Sequence, residues 1–162
     1  ESTPGAGSTF HIWLPASVEA RVPGPRTNNG PELVTGRETI LVVEDEEAVR
    51  RMIVRVLGAA GYEVLEADGP DEVVEKFATR GACAGLSLLL TDISMPGMRG
   101  TELAARLLAL EPRLPVLYIT GYTGEAPHGE ASILEKPFTP GELTLRVRKT
   151  LDAAARGVDR EK

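Results

Sequence analysis

Hydrophobic and polar positions change period several times along the chain, and each change marks an element. Residues 39–43, Thr-Ile-Leu-Val-Val, form a β-branched run that predicts a strand. Val49, Met52, Ile53, Val56, Leu57 and Ala60 then recur at helical spacing, with Gly61 as a stop. The alternation continues with a strand over 62–67 and a helix over 71–80 that turns Val73, Val74, Phe77 and Ala78 inward. A third strand follows over 86–91, then a helix over 101–110 carrying Leu103, Leu107 and Leu110. Residues 115–120 predict a fourth strand and 132–135 a short fifth. Thr139-Pro140-Gly141-Glu142 reads as a capping box with proline at the first helical position. It opens a last helix through Leu143, Val147 and Leu151, which fades into a charged tail over 156–162. Five strands, each followed by a helical or loop segment, predict an α/β fold, a doubly wound parallel sheet with helices on both faces.

Upstream the pattern is weaker. Residues 9–14 alternate, with Phe10, Ile12 and Leu14 on one face of a predicted strand. A lone strand cannot bury a face by itself, so this one needs a partner. Residues 16–37, rich in Pro, Gly, Asn and Thr, read as an extended polar linker. The compact domain is expected over 38–155.

Composition narrows the classes. A formal charge of -6 argues against a protein that holds nucleic acid through its backbone phosphates. The single Cys83 cannot form an intramolecular disulfide and offers no thiolate metal cluster, which fits a reducing compartment. No run approaches the roughly 20 apolar residues of a membrane span, and no signal-peptide pattern opens the sequence. The expected location is cytoplasmic, without direct membrane contact. The first residue is Glu1 rather than Met, which reads as a fragment of a longer chain.

Candidate chemistry lies at strand ends. The apolar run 88–90 ends on Thr91-Asp92, and Met95-Pro96-Gly97 turns the chain away. In open α/β sheets, ligands bind outside the carboxyl ends of the strands. A parallel sheet would bring to that edge Glu44 and Asp45 after the first strand and Asp92 after the third. Thr120 after the fourth and Lys136 after the fifth would join them. Singly, the acids read as helix caps, Thr120 as a turn residue and Lys136 as a surface charge. Together they form a pattern that caps do not explain. Three clustered carboxylates repel, and a hard divalent cation such as Mg²⁺ relieves that repulsion with oxygen ligands. A hydroxyl and an ammonium suit phosphoryl oxygens. A carboxylate beside such a cation can act as a nucleophile towards phosphorus.

Residues 38–155 resemble a response-regulator receiver domain. The motifs are Ile-Leu-Val-Val-Glu-Asp-Glu at 40–46, Leu-Thr-Asp-Ile-Ser-Met-Pro-Gly-Met at 90–98, Tyr-Ile-Thr-Gly-Tyr at 118–122 and Glu-Lys-Pro-Phe at 135–138. The resemblance implies a flavodoxin-like fold with strand order 2-1-3-4-5. It implies Asp92 as phosphoacceptor, Asp45 as a direct Mg²⁺ ligand and Glu44 as its partner acid, often through water. Ser94 would lend its backbone carbonyl to the metal, Thr120 would bind a phosphoryl oxygen and move on activation, and Lys136 would pair with the phosphate. A cis Lys136-Pro137 bond is implied by the resemblance alone. Residues 5–15, Gly-Ala-Gly-Ser-Thr-Phe-His-Ile-Trp-Leu-Pro, resemble the last strand of the ATP-binding domain of sensor histidine kinases. Residues 1–15 would then be a remnant of that domain, with His11 an ordinary strand residue. The combination resembles the C-terminal end of a hybrid histidine kinase. Its partner would be a histidine kinase or histidine phosphotransfer domain, in cis or in trans, and the parent is open to membrane anchoring. The sequence contains no dimerisation helices or nucleotide pocket, so it is not expected to be the kinase itself.

Two features depart from the family pattern. Ile133 stands where many receivers carry an aromatic residue, three positions before the lysine. The interval from Thr120 to Lys136 is short and holds Gly121, Gly124, Pro127 and Gly129, which predicts a stub or loop for the fourth helix. Phosphorylation is therefore expected to change local charge without a large switch on that side. Three other readings fit less well. A haloacid-dehalogenase-type phosphatase needs a second Asp two residues after the nucleophile, where Ser94 stands. A flavin site needs a phosphate-cradling loop, but residues 44–47 are all acidic. A phosphorylation-independent docking module of the same fold would not need its acids, Thr and Lys, all of which are present.

Overall fold

The computed structural model describes residues 2–3, 7–8, 11, 13, 35–77, 83–121 and 132–159. The chain separates into two units, residues 1–30 and 31–162. In the first, Ser2–Thr3 pairs antiparallel with Gly7–Ser8. His11 and Trp13 belong to no strand, contrary to the expectation for 9–14, and Trp13 is exposed. The other residues of that predicted strand, and the linker over 16–34, lie outside the described residues.

The second unit holds a sheet of five parallel strands, β1 (Thr39–Val43), β2 (Glu63–Ala67), β3 (Leu88–Asp92), β4 (Val116–Thr120) and β5 (Ser132–Glu135). Their order is β2-β1-β3-β4-β5, the flavodoxin-like order expected. The described helices are α1 (Glu47–Ala59), α2 (Pro70–Phe77), α3 (Gly100–Leu110) and α4 (Pro140–Asp159). The predicted fourth-helix stub falls on residues 122–131, outside the described residues.

Strand alternation sends side chains to two separate cores. Ile40, Val42, Leu88, Leu90, Leu117 and Ile119 pack on one face with Ile53 and Leu57 of α1 and Leu143, Val147 and Leu151 of α4. Leu41, Val43 and Leu89 face the other way, against Val73 of α2 and Leu103, Ala104 and Leu107 of α3. β3, buried at every position, is the centre of the sheet.

Helix ends follow local chemistry. Gly61 takes a left-handed φ of 91° after α1, where Tyr62 N donates to Leu57 O and Gly61 N to Gly58 O. This pairing is a Schellman closure. The capping box forms at α4: Thr139 N donates to Glu142 Oε2 at 2.7 Å, and Glu142 N returns to Thr139 Oγ1 at 3.3 Å. α4 runs past residue 155, where the tail was expected to begin. The i,i+4 pair Arg148–Asp152 and the alanines at 153–155 favour continuation. Among the described residues no helix is long and apolar enough to cross a membrane.

Candidate functional site

The strand order reverses between β1 and β3, so a crevice opens where these neighbours send their chains to opposite sides. Glu44 follows β1, Asp92 is the last residue of β3, Thr120 ends β4 and Lys136 follows β5. All four sequence-predicted strand-end positions therefore lie along one edge. Carboxylate oxygens of Glu44, Asp45 and Asp92 come within 4.8 Å of one another. The capping explanation for the acids fails at α1: its N-cap is Glu46, which makes no side-chain cap bond.

Lys136 lies between two of these acids. Its Nζ donates to Asp92 Oδ2 at 2.6 Å and to Glu44 Oε2 at 2.8 Å. It is brought there from β5 by its own backbone, since Lys136 N donates to Thr120 O at 2.7 Å. The Lys136-Pro137 bond is cis, as the resemblance implied. The two Asp92 oxygens are held differently: Oδ1 accepts from Ser94 N at 2.9 Å, while Oδ2 accepts from Lys136. Ser94 itself is exposed, Asp45 is exposed, and Thr120 is buried at the end of β4.

Burial pushes the Glu44 carboxyl above its ordinary pKa, and the nearby ammonium of Lys136 offsets this only in part. For Lys136 burial works to lower the pKa, but the hydrogen bonds it donates to Asp92 and Glu44 outweigh it and hold the ammonium above its usual value. One ammonium thus faces three clustered carboxylates. The donor set is hard oxygen without sulfur or imidazole, which fits Mg²⁺ and not a soft metal.

Two contributors carry no motif signal. Arg50, in the first turns of α1, donates from Nη1 to Glu44 O at 2.8 Å. Its only sequence mark is a basic residue six positions after Glu44. Gly100 opens α3 against the end of β3: a Cβ there would lie 1.9 Å from Asp92 O. A glycine just before a predicted helix was the available signal.

Comparison with known proteins is decisive for the family. The family model described as response regulator receiver domain matches residues 40–148, more than half of the chain. The chain belongs to the response regulator receiver family. It is 38% identical over 122 residues to the response regulator receiver protein CpdR of Brucella abortus (strain 2308), covering 71% of this chain and 98% of that protein. It is 31% identical over 169 residues to the sensor kinase CckA of the same strain, covering 94% of this chain but only 17% of that kinase. Among solved structures, the receiver domain of the hybrid histidine kinase CckA is 36% identical with a TM-score of 0.59, over 70% of this chain and 98% of that one. A CheY-like receiver from Methanospirillum hungatei JF-1 is 27% identical with a TM-score of 0.64, over 75% and 99%. Residues 40–148 are therefore a receiver domain of two-component signalling.

Proposed function

We propose that this receiver takes a phosphoryl group from a phosphohistidine onto Asp92, with Mg²⁺, and passes it on or loses it by hydrolysis. The observation that carries the reading is the convergence of Glu44, Asp45 and Asp92 with the Lys136 ammonium on Asp92 Oδ2. An Asp92 oxygen attacks phosphorus, and the P–N bond breaks with its electron pair returning to the imidazole nitrogen. The product is an aspartyl phosphate. Lys136 offsets negative charge on the transferring group, and the Thr120 hydroxyl donates to a phosphoryl oxygen. In hydrolysis, water attacks phosphorus and the O–P bond breaks, which returns the Asp92 carboxylate and releases inorganic phosphate. Glu44, Asp45, Asp92 and the Ser94 carbonyl would hold Mg²⁺, which supplies positive charge to the phosphoryl oxygens when bound.

The parent is a hybrid histidine kinase in this reading, and the donor is a histidine of that kinase or of a phosphotransfer domain. Similarity to CckA extends over 94% of this chain, and similarity to the Escherichia coli (strain K12) sensor protein EvgS over 93%. Both spans exceed the receiver match at 40–148 and so reach into the upstream sequence. That supports residues 1–15 as the end of a kinase ATP-binding domain and 16–37 as a linker.

Intact mass after incubation with acetyl phosphate tests the reading, with and without Mg²⁺ and beside Asp92→Asn. One added phosphoryl group that needs both Mg²⁺ and Asp92 is expected. No gain in a folded sample under any condition would overturn phosphotransfer and leave a docking module.

A further inference from the structure

The geometry points to Arg50 as a positioning residue for the acidic pair, one that sets Mg²⁺ affinity without touching the metal or the phosphoryl group. This inference rests on the phosphotransfer reading above. Glu44 and Asp45 are consecutive, so one peptide plane joins them, with the Glu44 carbonyl and the Asp45 amide as its two polar groups. Holding that plane restrains the Cα–Cβ direction of both acids at once. Arg50 does so: its Nη1 donates to Glu44 O at 2.8 Å, from a side chain only 15% exposed.

Other hydrogen bonds among the described residues also hold the loop. Glu44 N donates to Ala67 O at 3.3 Å, and Arg50 N donates to Glu46 O at 2.9 Å as α1 begins. Glu46 N reaches Glu44 Oε1 at a longer 3.4 Å. The guanidinium is steadied in turn by Glu66 of β2, whose Oε2 lies 3.5 Å from Arg50 Nε. Glu66 is half exposed, so this brace is weak by itself. The guanidinium also brings positive charge to the Glu44 backbone. Two cations on different elements thus meet Glu44: Lys136 contacts its side-chain oxygen, and Arg50 contacts its backbone carbonyl.

Without Arg50, the buried Glu44 carbonyl loses a charge-assisted donor and the acidic loop gains freedom. That freedom must be given up when a cation draws the carboxylates together. Partners that orient metal ligands commonly change affinity by about 10- to 100-fold when removed. Because Asp45 is exposed, the lower end of that range is expected here.

The test is calorimetric titration of unphosphorylated protein with Mg²⁺, for wild type, Arg50→Met, Arg50→Lys and Glu66→Gln. A parallel measurement takes the Mg²⁺ dependence of the acetyl phosphate reaction. Arg50→Met is expected to raise the Mg²⁺ dissociation constant by about tenfold. Its phosphorylation rate at saturating Mg²⁺ should stay close to wild type. Arg50→Lys, which keeps a charged donor, should recover part of the affinity, and Glu66→Gln should leave it nearly unchanged. A folded Arg50→Met protein with wild-type Mg²⁺ affinity would overturn the proposal. So would a loss confined to thermal stability. If Arg50→Met does not fold, Arg50→Lys decides: an unchanged dissociation constant together with an unchanged Mg²⁺-induced Asp45 amide shift would overturn it. Failure of wild type itself to bind Mg²⁺ would instead sink the phosphotransfer reading.

Discussion

Lys136 Nζ lies 2.6 Å from Asp92 Oδ2, 44 residues away in sequence, and the same ammonium reaches Glu44 Oε2 at 2.8 Å. A single positive charge therefore bridges the ends of β1 and β3 from the edge of the sheet. In the phosphotransfer proposed above, this pairing would give Asp92 a cation before any substrate arrives, with the charge stabilisation for transfer already in position.

Replacing Lys136 by Met removes that charge and leaves Glu44 and Asp92 facing each other. The rate of Asp92 phosphorylation by acetyl phosphate should fall on the order of a hundredfold, the scale of losing one preorganised donor. Mass spectrometry against time measures it. An unchanged rate would remove Lys136 from the chemistry.

Gly100→Ala should damage both fold and site. The added Cβ would stand 1.9 Å from Asp92 O and 2.9 Å from Asp92 C, which are backbone atoms unable to swing aside. Overpacking of this kind costs roughly 1–3 kcal/mol. Urea unfolding should report that loss, and the phosphorylation rate should fall because the Asp92 backbone must move. A variant as stable and as active as wild type would contradict the close approach.

Glu38 ties the start of β1 to α4. Arg148 Nη1 donates to Glu38 Oε1 at 2.6 Å across 110 residues and also pairs with Asp152. Burial works to raise the Glu38 pKa, but the hydrogen bonds from Arg148 and nearby backbone amides outweigh it and hold the carboxyl below its ordinary 4.5. A carboxyl depressed by folding stabilises the protein above its unfolded pKa, and that contribution is lost as pH falls through the lower folded value. Glu38→Gln should therefore be less stable than wild type at neutral pH, with the gap closing as pH drops below 4.5. Urea midpoints at several pH values measure it, and a gap that widens in acid would refute the assignment.

Ile133 pairs beside Tyr118 in the β4–β5 ladder and is half-buried. With no aromatic ring at that position, a phosphoryl mimic such as beryllofluoride should shift amides near Asp92, Thr120 and Lys136. It should leave the amides of residues 122–131 close to their unliganded values. A large rearrangement of that segment in amide spectra would show a switch of another kind.

The five parallel strands and the strand-end residues were legible in the chain and their order in the family resemblance, whereas the strand expected over 9–14 is absent at His11 and Trp13. Each strand is a short apolar run, and a parallel sheet leaves every strand at the same edge. Asp92 illustrates this: the buried run before it and the Pro-Gly turn after it place it at that edge from local signals alone. α4 is the contrary case. Its start was written in the capping box, but its extension to Asp159 follows from a side-chain pair and alanine propensity that a charged sequence obscures.

Sequence alone named the residues at this sheet edge, because strand termini and family motifs give Glu44, Asp45, Asp92, Thr120 and Lys136 in order. Only the tertiary structure decided what holds them. Arg50 on the Glu44 carbonyl, Ser94 N on Asp92 Oδ1 and the gap that only glycine fills at residue 100 depend on backbone groups, which every residue carries alike. A backbone carbonyl has no signature in the sequence, so its partner becomes visible only once the chain has folded.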